Sequence, residues 1–150
     1  MSEDTIQVFI DGVIRYFTHT SDKKVQVGTP YLADKESMPT LDMTGIIGVS
    51  GPNRGCVYFS APRILLKHLL LSLGEAQTHQ ENMIDLVGEV ANTIAGNARS
   101  SLGETFMISI PIVVEGQPAA IHLPKNTRSY IIPITWKNYT AAIAICLSET

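Results

Sequence analysis

The sequence is poor in the residues that announce most chemistries. It has two cysteines, Cys56 and Cys146, each inside an apolar, strand-like run. Without C-x-x-C spacing they read as core residues rather than as a disulfide or metal pair. His19, His68, His79 and His122 are scattered without ligand spacing, which argues against zinc. Lysine and arginine form no cluster and the net charge is −3, a poor match to a nucleic-acid binder. The greasiest run, Ile64–Leu73, is ten residues long and contains Lys67, too short to span a bilayer. No signal peptide is visible, so a soluble cytoplasmic protein is expected. P-loop, G-x-G-x-x-G, G-x-S-x-G and H-E-x-x-H motifs are all missing. So are low-complexity tracts and internal repeats.

What remains is an ordinary globular composition, 45% hydrophobic and 17% charged over 150 residues. That length suits one domain, 1–150, with a proper core. Ser2, Glu3 and Asp4 open an amphipathic helix whose apolar residues Ile6, Phe9, Ile10, Val13, Ile14 and Phe17 carry it to about His19. A short strand near Val25–Val27, or an extended connection, is expected. Asp42–Val49 and Gly55–Ser60 read as a hairpin around Ser50-Gly51-Pro52-Asn53. Ser60 is expected to cap the next helix, with Pro62 in its first turn. That helix runs from Ile64 to Gly74, is apolar nearly all round and should be largely buried, with His68 at the core or rim.

Later, Phe106–Val114 reads as a strand that Pro111 confines to an edge or a bulge. A turn over Glu115-Gly116-Gln117-Pro118 and a short strand at Ala119–Leu123 follow. Thr127–Lys137 and Thr140–Leu147 close the chain as strands around a tight Lys137-Asn138 turn. Both faces of the last strand are small or apolar, which places it centrally or under cover. No βαβ alternation occurs. The expected class is α+β, a mostly antiparallel β-sheet with helices packed on it.

The stretch Thr78–Leu102 organises all of this. At about 100° per residue, Met83, Leu86, Val87, Val90, Ala91, Ile94 and Ala98 form one broad apolar arc. Opposite fall Asp85, Glu89, Asn92, Gly96 and Arg99, with Gly88 at the margin. Thr78 and Glu81 make a T-x-x-E capping box, and Arg99 with Gly103 marks the far end. A polar, acidic face is ordinarily just the solvated one. Gly88 and Gly96 count against that reading, since each costs roughly 1 kcal/mol against Ala inside a helix. They leave the surface low beside Glu89 and Asn92, where another backbone can approach. Asp85 and Glu89, four residues apart, would both ionise on an exposed face, and no nucleophile is adjacent. Acid–base hydrolysis is therefore disfavoured.

Asp85-x3-Glu89-x2-Asn92, continued as GEVANTIAGNA and followed by Pro111-Ile-Val-Val-Glu-Gly116, resembles the CheC/CheX/FliY family of response-regulator phosphatases. The family signature is an Asp or Ser, then E-x-x-N, then a downstream proline. The resemblance spans roughly residues 42 to 147. The interval from Asn92 to Pro111 is a few residues shorter than the family's. The first helix carries no second E-x-x-N, because Asp11-x3-Arg15-x2-Thr18 lacks both site residues; a single site is CheX-like rather than CheC-like.

The resemblance implies a substrate, the aspartyl-phosphate of a CheY-like receiver domain, which would itself bring Mg²⁺ and a lysine. It implies Asn92 orienting the attacking water and Glu89 docking the receiver's lysine as the catalytic pair. Asp85, Gly88, Gly96 and Arg99 would form the partner-facing surface. No cofactor of this chain's own and a homodimer are likewise implied. A non-catalytic module of the same fold, binding a two-component signalling protein, is the competing expectation.

Overall fold

The computed structural model describes residues 3–21, 24–34, 37–116 and 129–149. Along the chain these form α1 (Glu3–Thr20), β1 (Gln26–Val27), β2 (Tyr31–Ala33), β3 (Met43–Ser50) and β4 (Asn53–Ala61). Then come α2 (Arg63–Ser72), α3 (Gln80–Leu102), β5 (Met107–Ile108), β6 (Ile112–Glu115), β7 (Ser129–Trp136) and β8 (Tyr139–Glu149). The short strand expected at Ala119–Leu123 lies outside the described residues.

Among the described residues the strands build one antiparallel sheet in the order β1-β7-β8-β4-β3-β5, with β2 also on β7 and β6 also on β3. This is the α+β class the pattern implied. β8 lies between β7 and β4, as a strand apolar on both faces must. Its hairpin with β7 turns on Lys137 and Asn138, whose φ values of 50° and 70° are the left-handed pair that a two-residue turn between twisted strands requires.

Alternation along the central strands separates two apolar layers. Val57, Phe59 and Ala61 of β4, with Ala141, Ile143, Ile145 and Leu147 of β8, join the main core beneath the helices. Cys56 and Tyr58, with Ala142, Ala144 and Cys146, face the other way into a smaller cluster capped by Ala33 and Met38. Cys56 and Cys146 are direct cross-strand partners, and both are buried free thiols.

All three helices feed the main core, and α3 lies against β3 and β4. Its close seat depends on Gly45. A Cβ there would stand 2.6 Å from the Val87 carbonyl oxygen, so only glycine lets the α3 backbone rest directly on β3. At its far end Gly103 adopts φ 104° and its N–H donates to the Arg99 carbonyl, closing the helix.

Four local expectations are corrected. Ser60 does not cap α2. Its side chain turns into the second face, accepting from Leu41 N at 2.7 Å and sharing a hydrogen bond with Thr44 Oγ1 at 2.9 Å. The cap comes instead from Asp42, whose Oδ2 accepts the Arg63 N–H at 2.9 Å. α2 buries Leu65, Leu66, Leu69 and Leu70, yet Ile64 and Leu71 are 43% and 49% exposed, so it is one-sided after all. His68 sits at its rim, stacked on Tyr139. The capping box of α3 is one residue late: His79 N–H donates to Asn82 Oδ1 at 3.1 Å, and the Asn82 N–H bonds the His79 side chain.

The fourth correction concerns Phe106–Val114, which is two short strands rather than one. Both pair with β3, but Ile108 meets Val49 while Ile112 meets Ile46. One residue too many separates the two pairings, which defines a bulge. Ser109 stitches it: its N–H donates to the Gly48 carbonyl at 2.9 Å and its Oγ accepts the Gly48 N–H at 2.8 Å. Pro111 follows where no donor is needed, at the expected edge and bulge.

Candidate functional site

The exposed face of α3 carries Asp85, Glu89, Asn92 and Arg99, while Gly96 is half-buried and Gly88 buried. Glu89 and Asn92 lie one turn apart and project to the same side. Among the described residues neither side chain is held by a hydrogen bond or ion pair, so both are available to something outside the chain. The helix beneath them is fixed by its cap, its apolar arc and its seat on Gly45, a rigid mount for two unengaged polar groups.

Shallow grooves flank this face. On one side Asp85 and Glu89 border a hollow of about 160 Å³ with Leu70, Leu73 and Glu75. On the other, Gly96, Arg99 and Ile108 border one of about 270 Å³. Arg99 is partly committed there: its Nε–H donates to the Phe106 carbonyl at 3.1 Å, which anchors the loop leaving α3. Gly96 has nothing within 4 Å of where a Cβ would be, so its surface is open.

Gly88 differs. A Cβ there would meet Val113 Cγ2 at 3.2 Å and Pro111 Cβ at 3.7 Å. Its smallness admits this chain's own bulge rather than leaving bare helix. The short interval before Pro111 therefore still delivers the proline to the helix, one turn from Asn92. Within the bulge Ile110 is 83% exposed and just after it Ile112 is 64% exposed, so this edge of the sheet is apolar on its surface.

Tyr16 escaped the sequence reading, though it continues the line of Phe9 and Val13 along α1. It is only 5% exposed, and its hydroxyl has no hydrogen-bond partner among the described residues. Burial pushes its pKa well above the ordinary tyrosine value and the Glu89 carboxylate adds to this; the neighbouring Thr20 hydroxyl acts the other way by favouring the ionised phenolate, although the neutral phenol makes no hydrogen bond to it. Thr20 itself donates to the Tyr16 carbonyl at 2.8 Å. Among the described residues no three His, Cys, Asp or Glu side chains gather where a metal ion could be held. No described helix is long and apolar enough to cross a membrane.

An antiparallel sheet with a capped helix presenting E-x-x-N beside a proline bulge makes this an α+β domain with one helix-borne candidate site. More particularly, residues 43–135 match the family model of the chemotaxis phosphatase CheX, and the chain belongs to that family. No curated relative matches the chain. Among solved structures it is similar to a CheC-like superfamily protein from Shewanella sp. PV-4, with 28% identity, 99% of each chain covered and a TM-score of 0.85. A chemotactic CheC-like protein from Shewanella oneidensis MR-1 is similar at 28% identity, covering 99% of this chain and 100% of that one, with a TM-score of 0.84. A chain in the crystal structure of a CheX–CheY–BeF3–Mg²⁺ complex from Borrelia burgdorferi shares the fold at 20% identity, 99% and 100% coverage and a TM-score of 0.79.

Proposed function

We propose that this chain hydrolyses the aspartyl-phosphate of a CheY-like response regulator. The observation that carries the reading is the pair Glu89 and Asn92, exposed, unbonded and one turn apart on α3, in a chain of the CheX family. The CheX–CheY complex from Borrelia burgdorferi supports a receiver as the partner.

An acyl phosphate is already activated, so a catalyst chiefly needs to hold a water in line with the bond that breaks. Asn92 suits that task. Its amide donates and accepts at once, and it orients a water without titrating. Glu89 pairs with the receiver's lysine, which fixes register and steers docking. The receiver supplies its own Mg²⁺, and this chain contributes no cofactor. Asp85 lies a turn before Glu89 and adds negative potential toward the same lysine. Gly96 and the apolar margin at Ile110 receive the partner's loops. On this reading the protein works in the cytoplasm, where receivers act, and by its family resemblance as a homodimer.

The test is the decay of a phosphorylated CheY-like receiver from the same organism, with and without this protein. Asn92→Ala is expected to lose about a hundredfold or more of the stimulated rate while keeping its affinity for the receiver. Glu89→Ala is expected to weaken docking as well. Equal rates for Asn92→Ala and wild type would sink the mechanism. Binding without acceleration across the organism's receivers would turn the reading to a non-catalytic module.

A further inference from the structure

Helices α1 and α3 run antiparallel along one another. The rings of Phe9 and Phe106 meet edge to face with centroids 6.2 Å apart, in the first half of α1 and just beyond the end of α3. One turn along α1, a Cβ on Gly12 would stand 3.6 Å from both Asn97 Cβ and the Ile94 carbonyl oxygen. Another turn brings Tyr16, and the corresponding step back along α3 brings Val90 and Glu89. Tyr16 thus falls on α1 at the level of Glu89 on α3, close enough for the Glu89 charge to act on the phenol. Among the described residues, the Tyr16 hydroxyl is the one buried side-chain polar atom without a partner.

An unpaired buried hydroxyl is costly, and phenylalanine would fill the same space without that cost. A donor kept in this state within the field of a free carboxylate has a natural acceptor. We propose that Tyr16 is a positioning residue for Glu89, its buried phenol donating to one carboxylate oxygen when the receiver docks and leaving the other for the receiver's lysine. This rests on the reading of Glu89 as the docking carboxylate. The phenol is buried, so it acts on docking only through Glu89. Holding one oxygen reduces the rotamers that the long Glu89 side chain must give up on docking.

The experiment is Tyr16→Phe, alone and in a Glu89→Ala background. The readouts are thermal unfolding and the KM and kcat for the phosphorylated receiver. Tyr16→Phe is expected to leave the melting temperature unchanged or raise it, while KM rises about threefold to tenfold and kcat stays within about twofold. In the Glu89→Ala background the KM effect is expected to vanish. A lowered melting temperature with unchanged KM would overturn the proposal, as would the same KM rise in both backgrounds. The two readings fail differently. If Glu89→Ala alone leaves KM untouched, the docking role of Glu89 falls and this inference with it. If Glu89→Ala raises KM and Tyr16→Phe does nothing, this inference alone falls.

Discussion

Gly88 lies under Val113: a Cβ on the glycine would stand 3.2 Å from Val113 Cγ2, with Pro111 half an ångström further off at 3.7 Å. The bulge and the helix face are therefore one packed unit. Alanine at 88 gains about 1 kcal/mol of helix propensity and needs Val113 to yield slightly, so the two effects nearly cancel. Leucine has no such room. Gly88→Leu is expected to lose about 2–3 kcal/mol in urea unfolding and, on the proposed function, to reduce activity by displacing Pro111 from its place against α3.

Gly96 makes the opposite case. Nothing lies within 4 Å of its missing Cβ, and its backbone is helical. Gly96→Ala is expected to stabilise the protein by about 0.5–1 kcal/mol. If the receiver's loops settle there, the same change weakens receiver binding. Stability and affinity moving in opposite directions, read by unfolding and by titration with the receiver, would identify a contact surface.

Ionic strength probes Glu89 separately. If Glu89 pairs with the receiver's lysine as proposed, salt screens that rim ion pair, so receiver affinity is expected to fall between about 50 and 300 mM salt, and to fall less for Glu89→Ala. Equal salt slopes for the two proteins would argue against the pair.

Alkali should unfold the protein early. Tyr16 and Tyr58 both have pKa values raised far above the ordinary value of about 10, chiefly by burial. In the unfolded chain they ionise near that value, and in the folded protein they stay neutral. Their contribution is thus fully present below about pH 10 and declines as pH rises beyond it, by up to about 1.4 kcal/mol per pH unit for each tyrosine. Tyr16→Phe should flatten the decline when stability is followed by urea unfolding from pH 9 to 11.

The corrected cap gives a stability contrast. Asp42→Ala removes the acceptor for the Arg63 N–H and should cost about 0.5–2 kcal/mol, mostly from α2. Ser60→Ala leaves Thr44 and the Leu41 N–H short of a buried partner and should cost about 1–3 kcal/mol, mostly from the strand pair β3–β4. Hydrogen exchange on the two variants would separate the losses.

Much of this was legible in the residues because single signals sufficed. The periodicity of α3 fixed its buried arc, and the two-sided apolar pattern of β8 fixed its central place. The Lys137-Asn138 turn needed only the known bias of short hairpins. What the sequence could not disclose depended on distant partners. Ser60 looks like a cap because it precedes Pro62, but the strand alternation that ends in Ala61 turns it to the other face. Asp42 supplies the cap from the start of the neighbouring strand, and no local rule finds that. Pro111 announced an interruption, while the Ser109 side chain that repairs the ladder became visible only with β3 in place. Gly88 and Gly96 looked alike in sequence, and only the bulge tells them apart. The E-x-x-N pair was readable as a motif; the tyrosine beneath it was masked by its place in an ordinary apolar stripe.

The seat of α3 on Gly45 also sets a height. The carbonyl of Val87 rests where a side chain on β3 would have to be, two residues before Glu89 and five before Asn92. A methyl group at position 45 would act as a shim, lifting that turn of the helix and tilting the outer face relative to Pro111. Gly45→Ala would then resemble an active-site lesion although position 45 faces away from any docking protein. The elevation of the working surface is set from underneath, by an atom that glycine omits.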